Sequence, residues 1–195
     1  NSKKALRWVA AAIFLITAGL GLFKYFQPGE PFIETRYAEI KNESLPDGSL
    51  VTLNANSKLT YGKSWNQKGD REVWVSGEAF FEVKKTEQLS KFIVHAGNFD
   101  IIVTGTEFNV VNRNGKTNVL LKDGSVIVRT TNGKETTMKP GDYVEFTNDR
   151  IQTKAAKDIQ VLAWKDRKFI FEKTPMKEVG TSISELYGVE VRFGD

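Results

Sequence analysis

Gly105-Thr106 is the dipeptide of this 195-residue chain whose residue types could carry out a reaction on the chain itself. A threonine hydroxyl can attack the carbonyl carbon of the residue before it and move the acyl group from nitrogen to oxygen. Water then hydrolyses the ester and the chain is cut. The step needs a strained peptide ahead of the hydroxyl, and glycine tolerates strained geometry. Gly-Thr pairs also sit at ordinary β-bulges, so the chemistry alone leaves both readings open. His95 is the single histidine. It lies in the alternating run FIVHAG, which suits a strand residue with a satisfied ring. A Ser–His–Asp hydrolase would need this histidine, yet no nucleophile elbow accompanies it. Asp47, Asp123 and Asp142 each adjoin a glycine, the arrangement of turn-forming aspartates. No spacing of His, Asp and Glu matches a metal site, and no glycine-rich phosphate loop opens a helix. No cofactor is expected. With no cysteine, disulfides, zinc-thiolate sites and thiol nucleophiles are excluded.

The elements that must position these residues read as β structure. Leu45 to Tyr61 (LPDGSLVTLNANSKLTY) carries the Asp47-Gly48 turn signal, with Leu45, Leu53 and Leu59 facing inward. Arg71 to Val83 (REVWVSGEAFFEV) alternates around Gly77. It sets Ala79, Phe81 and Val83 on one face and Phe80 and Glu82 on the other. Lys91 to Val110 holds two or three further strands. Asn118 to Phe146 holds three more, separated by Asp123-Gly124, Asn132-Gly133 and Pro140-Gly141-Asp142. Such closely spaced turn signals predict an all-β domain. The DGS triplet at Asp47 recurs at Asp123, and GEAFFEV at Gly77 resembles GTEFNV at Gly105, but the spacings are unequal. A short-period solenoid is not supported. The expected fold is mainly β, either an irregular β-helix-like stack or a sandwich with jelly-roll character.

Both ends differ from this middle. Trp8 to Phe23 (WVAAAIFLITAGLGLF) is uncharged, with Arg7 before it and Lys24 after. As a helix it spans about 24 Å, and flanking basic stems together with interfacial Trp8 and Tyr25 extend it toward the roughly 30 Å of a bilayer core. A signal peptide ending near Thr17-Ala18-Gly19 and a buried soluble helix are the alternatives. Lys3, Lys4 and Arg7 supply three of the four net positive charges. That bias puts the amino end in the cytoplasm and the rest outside it. The remainder is nearly balanced in charge, without the basic field that nucleic-acid binding requires. At the carboxyl end, Lys168 to Glu172 and Val189 to Phe193 read as strands flanking a helix. Thr174 is its expected N-cap, Pro175 its first residue and Gly188 its terminator. The resulting division is a membrane helix with its basic flank (1–26), a linker and lead-in (27–44), the β domain (45–158) and the start of a small α+β domain, truncated at its end (159–195).

The order LPDGSLVTLNANSKLTY, VSGEAFFEV, FIVHAG, VTGTEFNV, LKDGSVIV, KPGDYVEF resembles the FecR family of anti-sigma regulators. Asp47, Gly48, Gly77, Phe81, Val83, Phe108, Val110, Asp123, Gly124, Pro140 and Gly141 are among the residues that carry the resemblance. The final stretch, TPMKEVGTSISELYGVEVRF, looks like the entry to a domain similar to the short N-terminal domain of secretins and TonB-dependent transporters. The resemblance implies a single-pass protein of the bacterial inner membrane with its carboxyl-terminal domains in the periplasm. A cytoplasmic segment would hold an extracytoplasmic-function sigma factor. The periplasmic part would contact the signalling domain of a TonB-dependent outer-membrane transporter, and envelope proteases would release the sigma factor in stages. It also implies self-cleavage at Gly105-Thr106 in some members, within a motif completed here by Phe108 and Val110. An envelope-anchored β domain that binds glycan or builds a scaffold is the competing reading.

Overall fold

The computed structural model describes residues 7–8, 13, 15–19, 22, 30–62, 65, 69–147, 150–155 and 158–194. The chain forms two units, Asn1–Glu30 and Pro31–Asp195. In the first, the described residues from Arg7 to Leu22 are helical, and Trp8, Ile13, Leu15, Ile16 and Leu22 are exposed. Among the described residues no helix is long and apolar enough to cross a membrane. Half of the expected span Trp8 to Phe23 lies outside the described residues.

The second unit is built on strands β1 (Phe32–Thr35), β2 (Lys41–Ser44), β3 (Leu50–Leu53), β4 (Ser57–Tyr61), β5 (Arg71–Glu82), β6 (Phe92–Ala96), β7 (Phe99–Val103), β8 (Glu107–Arg113), β9 (Lys116–Asp123), β10 (Val126–Thr130), β11 (Glu135–Met138), β12 (Asp142–Thr147) and β13 (Arg150–Ala155). The organising strand is β5. Its first half pairs with β4 and β6, and its second half with β3 and β8. Two leaves result, ordered β1-β4-β5-β6-β7-β10-β11 and β2-β3-β5-β8-β9-β12-β13, with β5 third in each. The handover falls at Gly77, whose φ is +105°. A Cβ there would stand 2.3 Å from Ser57 Oγ, so the bend requires a residue without one.

Alternation then fills the space between the leaves. Leu53, Leu59, Val73, Ala79, Phe81, Val94, Ile101, Phe108, Val110, Leu121, Val128 and Phe146 form one cluster drawn from both. Phe81 stacks on Phe108 with ring centroids 5.1 Å apart, and Phe99 meets Phe146 across the leaves at 4.3 Å. Leu45, Leu53 and Leu59 face inward, as their spacing predicts. Of the two expected architectures the sandwich is present. A β-helix stacks its coils through parallel pairs, whereas among the described pairings β5 with β6 alone is parallel.

Three expectations are corrected. The sandwich begins within the expected linker and lead-in (27–44) and not at residue 45: β1 pairs with β4 and β2 with β3. KFIFE and VEVRF are not strands; neither enters a sheet. They lie instead against the helix Met176–Tyr187, where Gly180 leaves room for the ring of Phe193 and the side chain of Val191, and where Phe169 meets Tyr187. The helix itself forms and ends on Gly188 in the left-handed region, but its N-cap is Pro175, one residue later than expected. The last stretch also packs within the same unit as the sandwich.

Candidate functional site

Two clusters of buried polar groups stand out. The first gathers turns at one end of the sandwich. Asp47 closes its own turn by accepting from Ser49 N at 2.9 Å and Ser49 Oγ at 2.7 Å. Ser49 Oγ accepts in turn from Lys84 N at 2.9 Å, just past the end of β5. Arg71, only 4 % exposed in its side chain, donates to Asp47 Oδ2 at 2.5 Å, to Lys84 O at 3.0 Å and to Ser90 O at 2.8 Å. Its guanidinium lies over the Phe92 ring, 5.3 Å from the centroid. Asp47 is thus a turn residue whose carboxylate neutralises a buried arginine, and Gly48 supplies the turn's positive φ.

The Gly105-Thr106 peptide lies one step further along this end. Thr106 O accepts from Val83 N at 3.0 Å, and Thr106 Oγ1 donates to Ser125 O at 3.0 Å. Gly124, with φ +93°, is packed so closely that a Cβ would meet Thr106 Oγ1 at 2.9 Å and Gly105 O at 3.0 Å. The second DGS turn therefore cradles the dipeptide, while the first is tied to it through Lys84 and Lys85. Gly105 is required by crowding: a Cβ would stand 2.8 Å from that of Lys85, and its φ lies outside the left-handed region. Thr106 is buried, and the partner of its hydroxyl is a carbonyl rather than a basic side chain. His95 takes no part. It sits on the outer face of the first leaf, stacked on Trp74, with Asp100 Oδ1 2.8 Å from Nδ1 and Glu72 Oε2 3.2 Å from Nε2.

Of the other residues singled out in the sequence, Phe81, Val83, Phe108 and Val110 are core packing. Asp123 ends β9 and leads into the Gly124 turn. The Pro140-Gly141 turn joins β11 to β12, with Gly141 N donating to Leu121 O at 2.8 Å. Among the described residues no group of His, Asp and Glu is arranged to hold a metal.

The second cluster was not visible in the sequence. Glu78, on the outward side of β5, is half-buried. Its carboxylate accepts from Asn109 Nδ2 at 2.9 Å and Asn54 Nδ2 at 2.7 Å. The short turn Ala163–Asp166 lies over it, with Trp164 buried. The indole N–H of Trp164 has no partner of normal geometry but is near enough to favour the charged carboxylate. Burial outweighs these donors and raises the Glu78 pKa above its ordinary value. Burial likewise lowers Arg113, whose guanidinium stands near Glu78 and donates to Ala55 O and to Ser57 Oγ at 3.1 Å. Lys165 lies 3.5 Å from the centroid of the Phe80 ring and 3.7 Å from Glu82. Glu78 reads in the sequence as a solvent-facing strand residue because nothing local marks the segment that covers it. The Asn114-Gly115 pair, a two-residue hairpin signal, places Arg113 at a strand end.

Comparison with known proteins agrees with this architecture. Residues 32–127 match the family described as FecR protein. Two crystal structures of a candidate anti-sigma factor from Parabacteroides distasonis, at 2.50 and 1.65 Å, superpose with a TM-score of 0.73 at 29% identity, covering 81% of this chain and 75% of that one. No curated protein matches the chain. Through the sandwich that these residues build, the chain belongs to the FecR family.

Proposed function

We propose that this protein is a transmembrane signal transducer that regulates an extracytoplasmic-function sigma factor. The observation that carries the reading is the FecR match over the sandwich, joined to its likeness to a candidate anti-sigma factor. The exposed apolar helical residues Trp8, Ile13, Leu15, Ile16 and Leu22 favour a lipid-facing segment ahead of the sandwich. In this reading the sandwich stands in the periplasm, meets the signalling domain of a TonB-dependent outer-membrane transporter, and the signal ends in staged proteolysis by envelope proteases. The test is a pull-down of the protein in detergent against the signalling domains encoded in the same genome. Capture of one such domain, with loss of sigma-dependent transcription when that transporter is deleted, is the expected result. Failure with every domain would favour the glycan-binding or scaffold reading, for which exposed Trp74, flanked through His95 by Glu72 and Asp100, is the specific observation.

Self-cleavage at Gly105-Thr106 is part of the same proposal. Its support is the burial of Thr106 and the fixed orientation of its hydroxyl by Ser125 O. Mass spectrometry of the purified protein is expected to show one scission between these residues, abolished by Thr106→Ala. An intact mass after prolonged incubation would count against it.

A further inference from the structure

The helix Met176–Tyr187 is attached to the sandwich chiefly by its carboxyl end. Helix ends leave carbonyls without intrahelical partners, and here the sandwich supplies the donors. Ala38 N donates to Leu186 O at 2.8 Å. Asn56 Nδ2 donates to Glu185 O at 3.1 Å, and Arg113 reaches the same carbonyl at 3.4 Å. Asn114 Nδ2 donates to Glu185 Oε1 at 2.5 Å. Ala38, Asn56 and Asn114 come from three separate turns, and all three have positive φ, at 59°, 51° and 50°. Asparagine accepts that conformation readily, whereas alanine does so at a cost. Three left-handed turns therefore converge on one helix end. Past that end, the ring of Tyr37 fills the space beside Gly188.

The rest of the helix is lightly held. Gly180 is its one fully buried residue, while Met176 and Tyr187 are 64% and 47% exposed. Few buried apolar contacts and a handful of polar ones characterise segments that open without global unfolding. The contact is also joined to the bend that both leaves share. Arg113 bonds Ser57 Oγ, and Ser57 Oγ accepts from Glu78 N at 3.0 Å beside Gly77.

We propose that Ala38, Asn56, Arg113 and Asn114 form a receptor for the carboxyl end of an α-helix, filled in cis by Met176–Tyr187 as a releasable latch. Its state reaches the β5 bend through Arg113 and Ser57. The proposal rests on the geometry of the second unit and stands whether or not a transporter is the partner.

Hydrogen–deuterium exchange of the full chain in detergent micelles tests it. Asn56→Gly with Asn114→Gly removes both side-chain donors while keeping residues that accept the left-handed conformation. Exchange in residues 177–188 is expected to rise about thirtyfold, as for the loss of two ordinary hydrogen bonds. Amides 77–80 are expected to follow to a smaller degree, with the core strands β6 and β7 unchanged. Unchanged exchange in the helix would overturn the receptor. A rise shared equally by helix and core would overturn the latch. Should the double variant not fold, Asn114→Gly alone is read in the same way.

Discussion

The sandwich shelters two acidic groups from solvent in opposite ways. Asp47 meets Arg71 directly at 2.5 Å, and the two Nη atoms of the arginine also donate to main-chain carbonyls of the neighbouring loops, while its buried Nε has no hydrogen-bond partner. Glu78 meets two neutral amides and an indole, with Arg113 contributing through space. One site is a closed ion pair at the end of the fold, sealed by turns close to it in space. The other is a carboxyl whose burial depends on a segment that arrives some 85 residues later in the chain. The difference separates a group that consolidates the sandwich from one that registers whether the carboxyl-terminal segment is in place.

The largest expected effect comes from breaking the closed pair. Arg71→Ala strands the Asp47 carboxylate without its counter-ion and should cost about 3–5 kcal/mol, read as a fall in the denaturation midpoint. If the loss is below about 1 kcal/mol, in the range of an exposed ion pair, the contrast drawn between the two sites fails. Next, Trp164→Ala removes the cover over Glu78 and should cost about 3 kcal/mol, at the lower end for a buried tryptophan. Its distinctive sign is a Glu78 pKa that moves back toward the ordinary carboxylate range, measured by carboxyl NMR titration.

The smallest effect is one of slope. Because the folded Glu78 pKa is raised, the carboxyl is protonated in folded and unfolded chains alike at acid pH, and its contribution is then at its most favourable. As pH rises above the ordinary value the unfolded chain releases the proton first, and this contribution falls until the folded pKa is passed. Glu78→Gln should remove that slope, so the stability of the wild type falls relative to the variant as pH rises above the ordinary carboxylate range. Urea denaturation at four pH values reads it directly, and a constant difference would show that Glu78 is not held toward its neutral form.

How far the sequence reached differs between these regions for physical reasons. Period-two alternation placed Ala79, Phe81 and Val83 inward, since a strand with one buried face must repeat every second residue. Asp-Gly and Asn-Gly pairs located turns at Gly48, Gly124 and Gly133, each with positive φ. FIET and KNES escaped notice because they are four-residue edge strands with little apolar pattern of their own. KFIFE and VEVRF misled in the opposite sense: β-prone composition does not make a strand without a partner to complete its ladder. At the candidate site the Gly105-Thr106 pair was legible as chemistry. The cradle of Gly124 and Ser125 was not, because it is assembled by strand pairing across the β8–β9 hairpin. Glu78 was hidden for a related reason, since its environment is made by residues 54, 109 and 164 and by none of its neighbours in sequence.

Arg71–Glu82 serves both leaves as one uninterrupted ribbon. A slide of a single residue along it would turn inward-facing side chains outward in both leaves at once. Neither leaf can then re-register or melt by itself, and the two must come apart in a single cooperative event.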